Sequence, residues 1–400
     1  MFSTRRAVVQ GGIAGLLLPQ AVFAMAAQKP NSSFERWRLD FEAGVPARMA
    51  AAQVVGASVA ITSPDNAVRY AASFGFADVA RNRALTVDTP MHLASVSKLF
   101  TASALVQLFE RRGLDLHANV NDFIDFPVIN PHHPSLPLTP HQLVTHTSSI
   151  SDKGHDVTYP GDPRQSISSF LQGYLVKGGR HYDPEKSYLK VKPGKRWDYS
   201  NVGAALAGYV VECVSQQSFA SYVEENVLAP LGIHNAHWYL RDFEPDVLAK
   251  PYRFKNGAFV ELPQQGYPDV PAGLLRCSVG DLARSLHAML GQDTGPKAIL
   301  SDQAVQEMLR RQVARSVHGY QGLGWTQEKV RERKVVGHSG SDTGASNMVV
   351  LTEDQSQAVA MLMNIDGTYK SDEFRNAIIE DLLVGAELAR GADATLKVSY

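Results

Sequence analysis

A serine and a lysine three positions apart, Ser95 and Lys98, are the residues of this chain best suited to chemistry. They open a stretch in which apolar residues recur at helical spacing until Gly113 ends it. Because side chains three positions apart share one face of a helix, the Lys98 amine can reach the Ser95 hydroxyl. A lysine that accepts the serine proton makes that hydroxyl a nucleophile for acyl transfer. The helix N-terminus adds partial positive charge where an oxyanion would form.

Two later segments carry further groups suited to acyl transfer. Tyr199 and Asn201 stand in a turn that enters an apolar, helix-like stretch. Because residues two apart in a turn or extended segment can face the same way, this segment presents a phenol and a carboxamide together. His338 and Gly340 lie at the end of a predicted strand, where glycine lets a substrate backbone approach closely. The three segments together favour a nucleophilic hydrolase.

The order Ser-x-x-Lys, Tyr-x-Asn, His-x-Gly resembles a known family of serine hydrolases. That family includes class C β-lactamases, D-Ala-D-Ala carboxypeptidases, D-aminopeptidases and related esterases, and it is penicillin-binding-protein-like. Four further stretches are similar to it, at residues 143–148, 230–233, 271–273 and 322–325. The resemblance extends from about residue 35 to residue 390. It therefore covers almost the whole chain.

Carried over position by position, the resemblance implies a role for each group. Ser95 is the acylated nucleophile and Lys98 accepts its proton. Tyr199 acts as a second general base or acid that relays a proton to the leaving group. Asn201 holds the acyl-side amide of the substrate. The backbone N–H groups of Ser95 and Ser341 form the oxyanion hole.

The same resemblance makes His338, Ser339 and Gly340 a substrate-binding segment, in which the Ser339 hydroxyl donates to substrate. His338 stands where many β-lactamases carry lysine. A neutral imidazole binds a carboxylate less strongly than an ammonium ion does, although a protonated one can substitute, because histidine titrates near pH 6.5. This departure favours peptidases or esterases over a dedicated β-lactamase. Ser149 is a second departure, since relatives often have glycine there.

We therefore expect an exported serine hydrolase that works through an acyl-enzyme on Ser95. The favoured substrates are short peptides that contain D- or otherwise unusual residues. Three alternatives stay open: a short-chain carboxylesterase, a β-lactamase, and a non-hydrolytic penicillin-recognising binding module. The presence of both Lys98 and Tyr199 argues against the last, because a binding module needs no proton relay.

The N-terminal residues are typical of an export signal. Arg5 and Arg6 form a twin-arginine-like pair, residues 11–23 are apolar, and small residues follow at 24–26. We expect residues 1–26 to be removed, which leaves a periplasmic or secreted protein without a stable membrane span. The net charge of −1 and the scattered basic residues give no indication of nucleic-acid binding.

The sequence predicts neither a metal nor a cofactor. Four histidines are candidate metal ligands, but their spacing fits no compact metal site: His132, His133, His141 and His146. The chain has no phosphate-binding glycine loop. Its two cysteines, Cys213 and Cys277, are predicted to be free packed thiols rather than a disulfide. The predicted partner is a small-molecule or peptide substrate, and the oligomeric state stays open.

These groups need a scaffold, and the patterning predicts an α/β fold of the α+β type. The resemblance implies that this fold is β-lactamase/transpeptidase-like. An antiparallel sheet is flanked by N- and C-terminal helices and is joined to a mostly helical insertion. We expect one catalytic unit over residues 27–400, with its sheet-bearing part at about 33–116 and 286–392 and the insertion at about 117–285.

The predicted elements are helices 34–51 and 372–390 and strands 56–61, 68–74, 322–327, 334–336, 346–351 and 358–363. Ser95 then lies at the seam between the two parts, where clefts form. The polar loop 151–192 forms either a substrate rim or a solvated connection.

Overall fold

The computed structural model describes residues 32–155, 157–292 and 298–397, with the side chains of 391–397 left aside. The predicted export signal, residues 1–26, lies outside this range. The helices of the described residues are α1 Ser33–Ala52, α2 Ser97–Arg112, α3 Pro140–Val144, α4 Ile167–Leu175, α5 Pro184–Ser187, α6 Asn201–Ser215, α7 Phe219–Val223, α8 Val279–Met289, α9 Asp302–Leu309 and α10 Tyr369–Lys397. The strands are β1 Gly56–Ser63, β2 Asn66–Asp78, β3 Arg83–Ala84, β4 Met91–His92, β5 Tyr159–Pro160, β6 Tyr252–Lys255, β7 Ala258–Glu261, β8 Gln265–Gly266, β9 Arg276–Cys277, β10 Thr326–Val330, β11 Arg333–Asp342, β12 Ala345–Leu351 and β13 Ala358–Met363.

A seven-stranded antiparallel sheet forms the centre of the fold, in the order β10-β11-β12-β13-β1-β2-β3. Every residue of β1 is buried, because both faces of the sheet are covered. Val59 and Ile61 pack in one core with α1 and α10, whereas Ala60 faces a second core with α8 and the helices of the middle part of the chain. The predicted antiparallel sheet with flanking terminal helices is confirmed.

Helix α2 runs through the second core. Its first thirteen residues are buried, and it ends where Gly113 adopts a left-handed conformation (φ 63°). Helix α6 packs beside it and is capped by the Ser200 hydroxyl, which accepts the Gly203 N–H at 2.8 Å. None of the described helices combines the length and the apolarity that crossing a bilayer requires.

Parts of the prediction differ from the structure. The segment 151–192, predicted as a loop, contains helices α4 and α5, and the apolar face of α4 packs in the second core. The strand expected at 322–327 begins only at Thr326, because residues 322–325 form a turn in which Gly324 has φ 80° and lies against Ala102 of α2. The middle part also contains an unpredicted hairpin, β6–β7. Its two-residue turn, Asn256-Gly257, has positive φ at both positions, as a tight hairpin turn requires.

Candidate active site

Ser95 lies in a single turn of 3-10 helix, Ala94–Val96, that leads directly into α2. Ala94 has φ 48°, a left-handed conformation that costs a non-glycine residue energy and is often found at functional sites. Strand β11 lies directly against this turn. A Cβ on Gly340 would be only 2.4 Å from the carbonyl oxygen of Leu93 and 3.2 Å from the Ser95 nitrogen. Glycine at 340 therefore allows strand and nucleophile to meet at backbone distance.

The Lys98 ammonium group contacts three acceptors. It donates to the Ser95 hydroxyl at 3.1 Å, to Asn201 Oδ1 at 2.8 Å and to the Ala272 carbonyl at 2.6 Å. Lys98 is only 4% exposed, and this burial lowers its pKa to about 8, although nearby carboxylates, Asp269 foremost, oppose the shift. About a tenth of the amine is then neutral at pH 7. Lys98 is thus both close enough to Ser95 and basic enough to take its proton.

Tyr199 contacts both Ser95 and Lys98. Its ring centroid is 4.8 Å from Lys98 Nζ and 4.4 Å from the ring of His146. Burial raises the pKa of the Tyr199 phenol, and the hydrogen bond to Ser95 opposes this only partly. The phenol therefore keeps its proton at neutral pH. In this state it can donate a proton but cannot begin as a base.

Two residues without a predicted catalytic role hold the Tyr199–Asn201 segment in place. Asp152 accepts the Ser200 hydroxyl at 2.8 Å, the Asn201 N–H at 2.6 Å and the Val202 N–H at 3.2 Å. His146 accepts the Ser200 N–H on Nδ1 at 3.2 Å, and burial lowers the pKa of this imidazole well below its usual value. No local sequence pattern marks Asp152, although a carboxylate at a helix N-terminus is electrostatically favourable.

Strand β11 places His338 near Tyr199, with 6.2 Å between ring centroids, in a position that is 2% exposed. Its Nδ1 lies 2.7 Å from the Ser339 carbonyl, which can only accept, so Nδ1 carries a proton. Burial, and secondarily the charge of Lys98, lower the pKa of His338 to about 4. The ring is therefore neutral near pH 7 and its buried Nε2, which has no hydrogen-bond partner, is an acceptor. A protonated His338 in the role of lysine does not fit this environment.

The backbone N–H groups of Ser339 and Ser341 point toward the same edge of β11, because N–H groups of successive strand residues point to opposite edges. The Ser339 N–H and hydroxyl both donate to Glu328 of β10, at 2.7 and 2.9 Å. The predicted Ser339 hydrogen bond to substrate therefore has a competitor inside the protein. Strand β10 pairs with β11 only as far as Gly337, and Ser341 lines the same cavity as Ser95. This position suits the predicted oxyanion donor.

The cavity beside Ser95 has a volume of about 190 Å³. His155, Val157 and Thr158 form part of its wall, so one end of the segment 151–192 lies at the cavity. The other lining residues are Ala94, Ser95, Asn201, Tyr267, Asp269, Ala272, Ser341 and Asp342.

The remaining groups noted in the sequence lie in different surroundings. Cys277 is buried, Cys213 is half-buried, and both thiols are free, as predicted. Within the described ranges, no three histidine, cysteine or acidic side chains come together as a metal site would need.

Comparisons with known proteins identify the family of this chain. A sequence model of the Beta-lactamase family matches residues 41–383. Penicillin-binding protein 4* of Bacillus subtilis is 24% identical over 328 residues, which cover 78% of this chain and 68% of that protein. Against protein flp of Staphylococcus aureus the match covers 61% of the relative's length, so this chain spans only part of it.

Two solved structures share the fold. The octameric penicillin-binding protein homologue of Pyrococcus abyssi superposes with a TM-score of 0.67 at 28% identity, over 87% of this chain and 77% of that one. The D-amino acid amidase of Ochrobactrum anthropi SV3 gives a TM-score of 0.66 at 19% identity, over 88% and 99%. This chain belongs to the Beta-lactamase family, whose members are serine hydrolases.

Proposed function

We propose that the protein is an exported hydrolase that cleaves short peptides containing D- or otherwise unusual residues through an acyl-enzyme on Ser95. The contact between Lys98 and the Ser95 hydroxyl carries the proposal, because it joins a nucleophile to a buried amine whose pKa is about 8. Export is supported by the composition of residues 1–26.

The first half of the reaction forms the acyl-enzyme. Neutral Lys98 takes the Ser95 proton as the oxygen attacks the substrate carbonyl, and the N–H groups of Ser95 and Ser341 receive the developing oxyanion. Tyr199, which is protonated at rest, gives its proton to the departing amine, and the proton that Lys98 took from Ser95 then returns to the Tyr199 phenolate. Lys98 donates to the side-chain oxygen of Asn201, and Asp152 accepts the Asn201 backbone N–H. The side-chain amide held in this way binds the acyl-side amide of the substrate.

The second half releases the acid. A water molecule takes the place of the leaving amine and gives a proton to the same relay as it attacks the ester carbonyl. The Ser95–acyl bond breaks and the hydroxyl is restored.

A short-chain carboxylesterase is the second candidate. Neutral His338 supplies no cation for a substrate carboxylate, so the cleft does not require one, and the same relay cleaves esters. The ratio of kcat/KM for D-peptides to kcat/KM for short p-nitrophenyl esters separates the two. The β-lactamase and binding-module alternatives predict, respectively, penicillin turnover and no turnover of any acyl compound.

The deciding experiment is intact-mass spectrometry after exposure to p-nitrophenyl acetate and to benzylpenicillin. We expect a mass increase with the ester that is absent in Ser95→Ala. Ser103→Ala is the matched control, because this buried α2 hydroxyl has no hydrogen-bond partner. A Ser95→Ala protein that still turns over peptides or esters at the wild-type rate would refute the proposal.

A further inference from the structure

The edge of β11 continues toward the nucleophile beyond the end of its pairing with β10. Pairing between the two strands stops at Gly337, and the next N–H groups on this edge belong to Ser339 and Ser341. Ser341 lines the cavity beside Ser95. The donors of Ser339 are therefore the next ones that a substrate lying along this edge would meet.

Glu328 of β10 already occupies the donors of Ser339. Its Oε1 accepts the Ser339 N–H at 2.7 Å and the Ser339 hydroxyl at 2.9 Å. Hydrogen bonds to an ionised acceptor are roughly twice as strong as those between neutral groups, so this carboxylate is held firmly. A side chain of β10 thus takes the place that a substrate would have at Ser339.

Ser339 lies on the leaving-group side of the cleft. Tyr199, which gives its proton to the leaving group, is close to the residue before Ser339, with 6.2 Å between the ring centroids of Tyr199 and His338. Burial is the main cause of the raised Tyr199 pKa, and the charge of Glu328 adds to it. The negative charge of Glu328 therefore reaches the point at which the leaving group is protonated.

Two basic residues on this side do not cancel that charge. His338 is neutral near pH 7, because burial lowers its pKa to about 4. Arg375 of α10 interacts with the charge of Glu328, but its Nη1 lies 3.2 Å from Asp372 and donates to Ser346 Oγ at 2.7 Å. The charge of Arg375 is thus shared with Asp372. A carboxylate on the leaving group would meet a like charge and donors that are already occupied.

We infer that Glu328 determines specificity on the leaving-group side. It closes the edge of β11 at Ser339 and repels carboxylates, so the enzyme selects leaving groups that carry no carboxylate beside the scissile bond. This inference rests on the proposed hydrolysis through Ser95. Like charges brought together in a binding site suppress the wrong partner. Glu328 thereby separates acyl compounds that the Ser95–Lys98 pair alone would treat alike.

Two esters that differ in one charge test the inference, 3-acetoxybenzamide and 3-acetoxybenzoate. Both transfer the same acetyl group to Ser95, and only the second carries a carboxylate on its leaving phenol. Each kcat/KM is divided by the rate of uncatalysed hydrolysis of that ester. We expect the wild-type value to be at least about 10-fold higher for the benzamide. Glu328→Gln should lower this ratio about 10-fold, because it removes the charge and keeps an acceptor for Ser339.

Glu328→Ala is the second variant. It removes the charge and also frees both donors of Ser339, so the ratio should fall at least as far as in Glu328→Gln. Glu332→Gln is the matched control, because this carboxylate lies in the turn of the same hairpin and is 95% exposed. We expect it to keep the wild-type ratio.

The outcomes separate the inference from the proposed function. Equal cleavage of the two esters by the wild type overturns the inference. So do Glu328 variants that keep the wild-type ratio or that both lose activity toward the benzamide, and a Glu332→Gln protein whose ratio falls as far as theirs. If neither ester is cleaved although p-nitrophenyl acetate acylates Ser95, the inference is overturned and the hydrolase stands. If nothing acylates Ser95, both fall.

Discussion

Gly340→Ala should push β11 away from the nucleophile turn and slow acylation. The added Cβ would lie 2.4 Å from the Leu93 carbonyl oxygen, whereas ordinary contacts begin at 3.4 Å, so strand and turn must separate by about 1 Å. A misplacement of that size can lower the rate about 100-fold, which corresponds to about 2.7 kcal/mol of transition-state stabilisation. Overpacking of this kind also lowers the free energy of unfolding by about 1–3 kcal/mol.

The rate of p-nitrophenyl acetate hydrolysis and the urea midpoint measure the two effects separately. Gly44→Ala is the matched control, because a Cβ there meets nothing within 4 Å and the position lies inside α1. We expect it to leave the rate unchanged and to stabilise the protein by up to about 1 kcal/mol. A Gly340→Ala enzyme that keeps its rate within threefold would show that the close approach does not set the catalytic geometry.

Three further predictions follow from the electrostatics and the helix cap. Because neutral Lys98 is the base, kcat/KM should rise with pH through about 8. Lys98→Arg should lower kcat/KM about 10²–10⁴-fold and remove this rise with pH. A flat pH profile of the wild type would contradict the prediction. Because the folded-state pKa of His338 is lowered to about 4, the unfolded chain binds more protons below pH 6.5. Because of His338, the free energy of unfolding should therefore fall by about 2 kcal/mol between pH 7 and pH 5. Urea titrations in which the His338→Gln protein loses as much stability over this range would refute the prediction. Asp152→Ala leaves three donors at the start of α6 without their acceptor, so the free energy of unfolding should fall by about 2 kcal/mol. The value of kcat/KM should also fall, because Asn201 is no longer held in place. Wild-type stability in urea would contradict the role of Asp152 as a helix cap.

The sequence predicted those parts of the fold that depend on local pattern. Strand β13 has the bounds expected from its apolar run, and helix α2 ends at the glycine that its spacing indicated. In both elements burial follows directly from residue type, because the strand is covered on both faces and the helix crosses the core. Periodicity and a terminating glycine were sufficient there.

Contacts between distant segments were beyond that kind of inference. Asp152 and Asn201 are far apart along the chain, and no pattern around either one indicates that they meet. The same holds for the contact between the rings of His146 and Tyr199. The β6–β7 hairpin was missed although Asn256-Gly257 is a strong turn signal, because its β7 strand is wholly exposed and lacks apolar alternation.

The close contact of Gly340 with the Leu93 carbonyl brings the nucleophile turn and its facing strand together at main-chain distance. Side chains elsewhere on the cavity wall, from Val157 and Thr158 to Tyr267, take no part in that contact. Exchange of these segments can therefore redirect such an enzyme toward new acyl groups while the distance between attacking oxygen and anion donor is preserved. In such a scaffold, substrate specificity can change during evolution while the geometry of the catalytic groups is conserved.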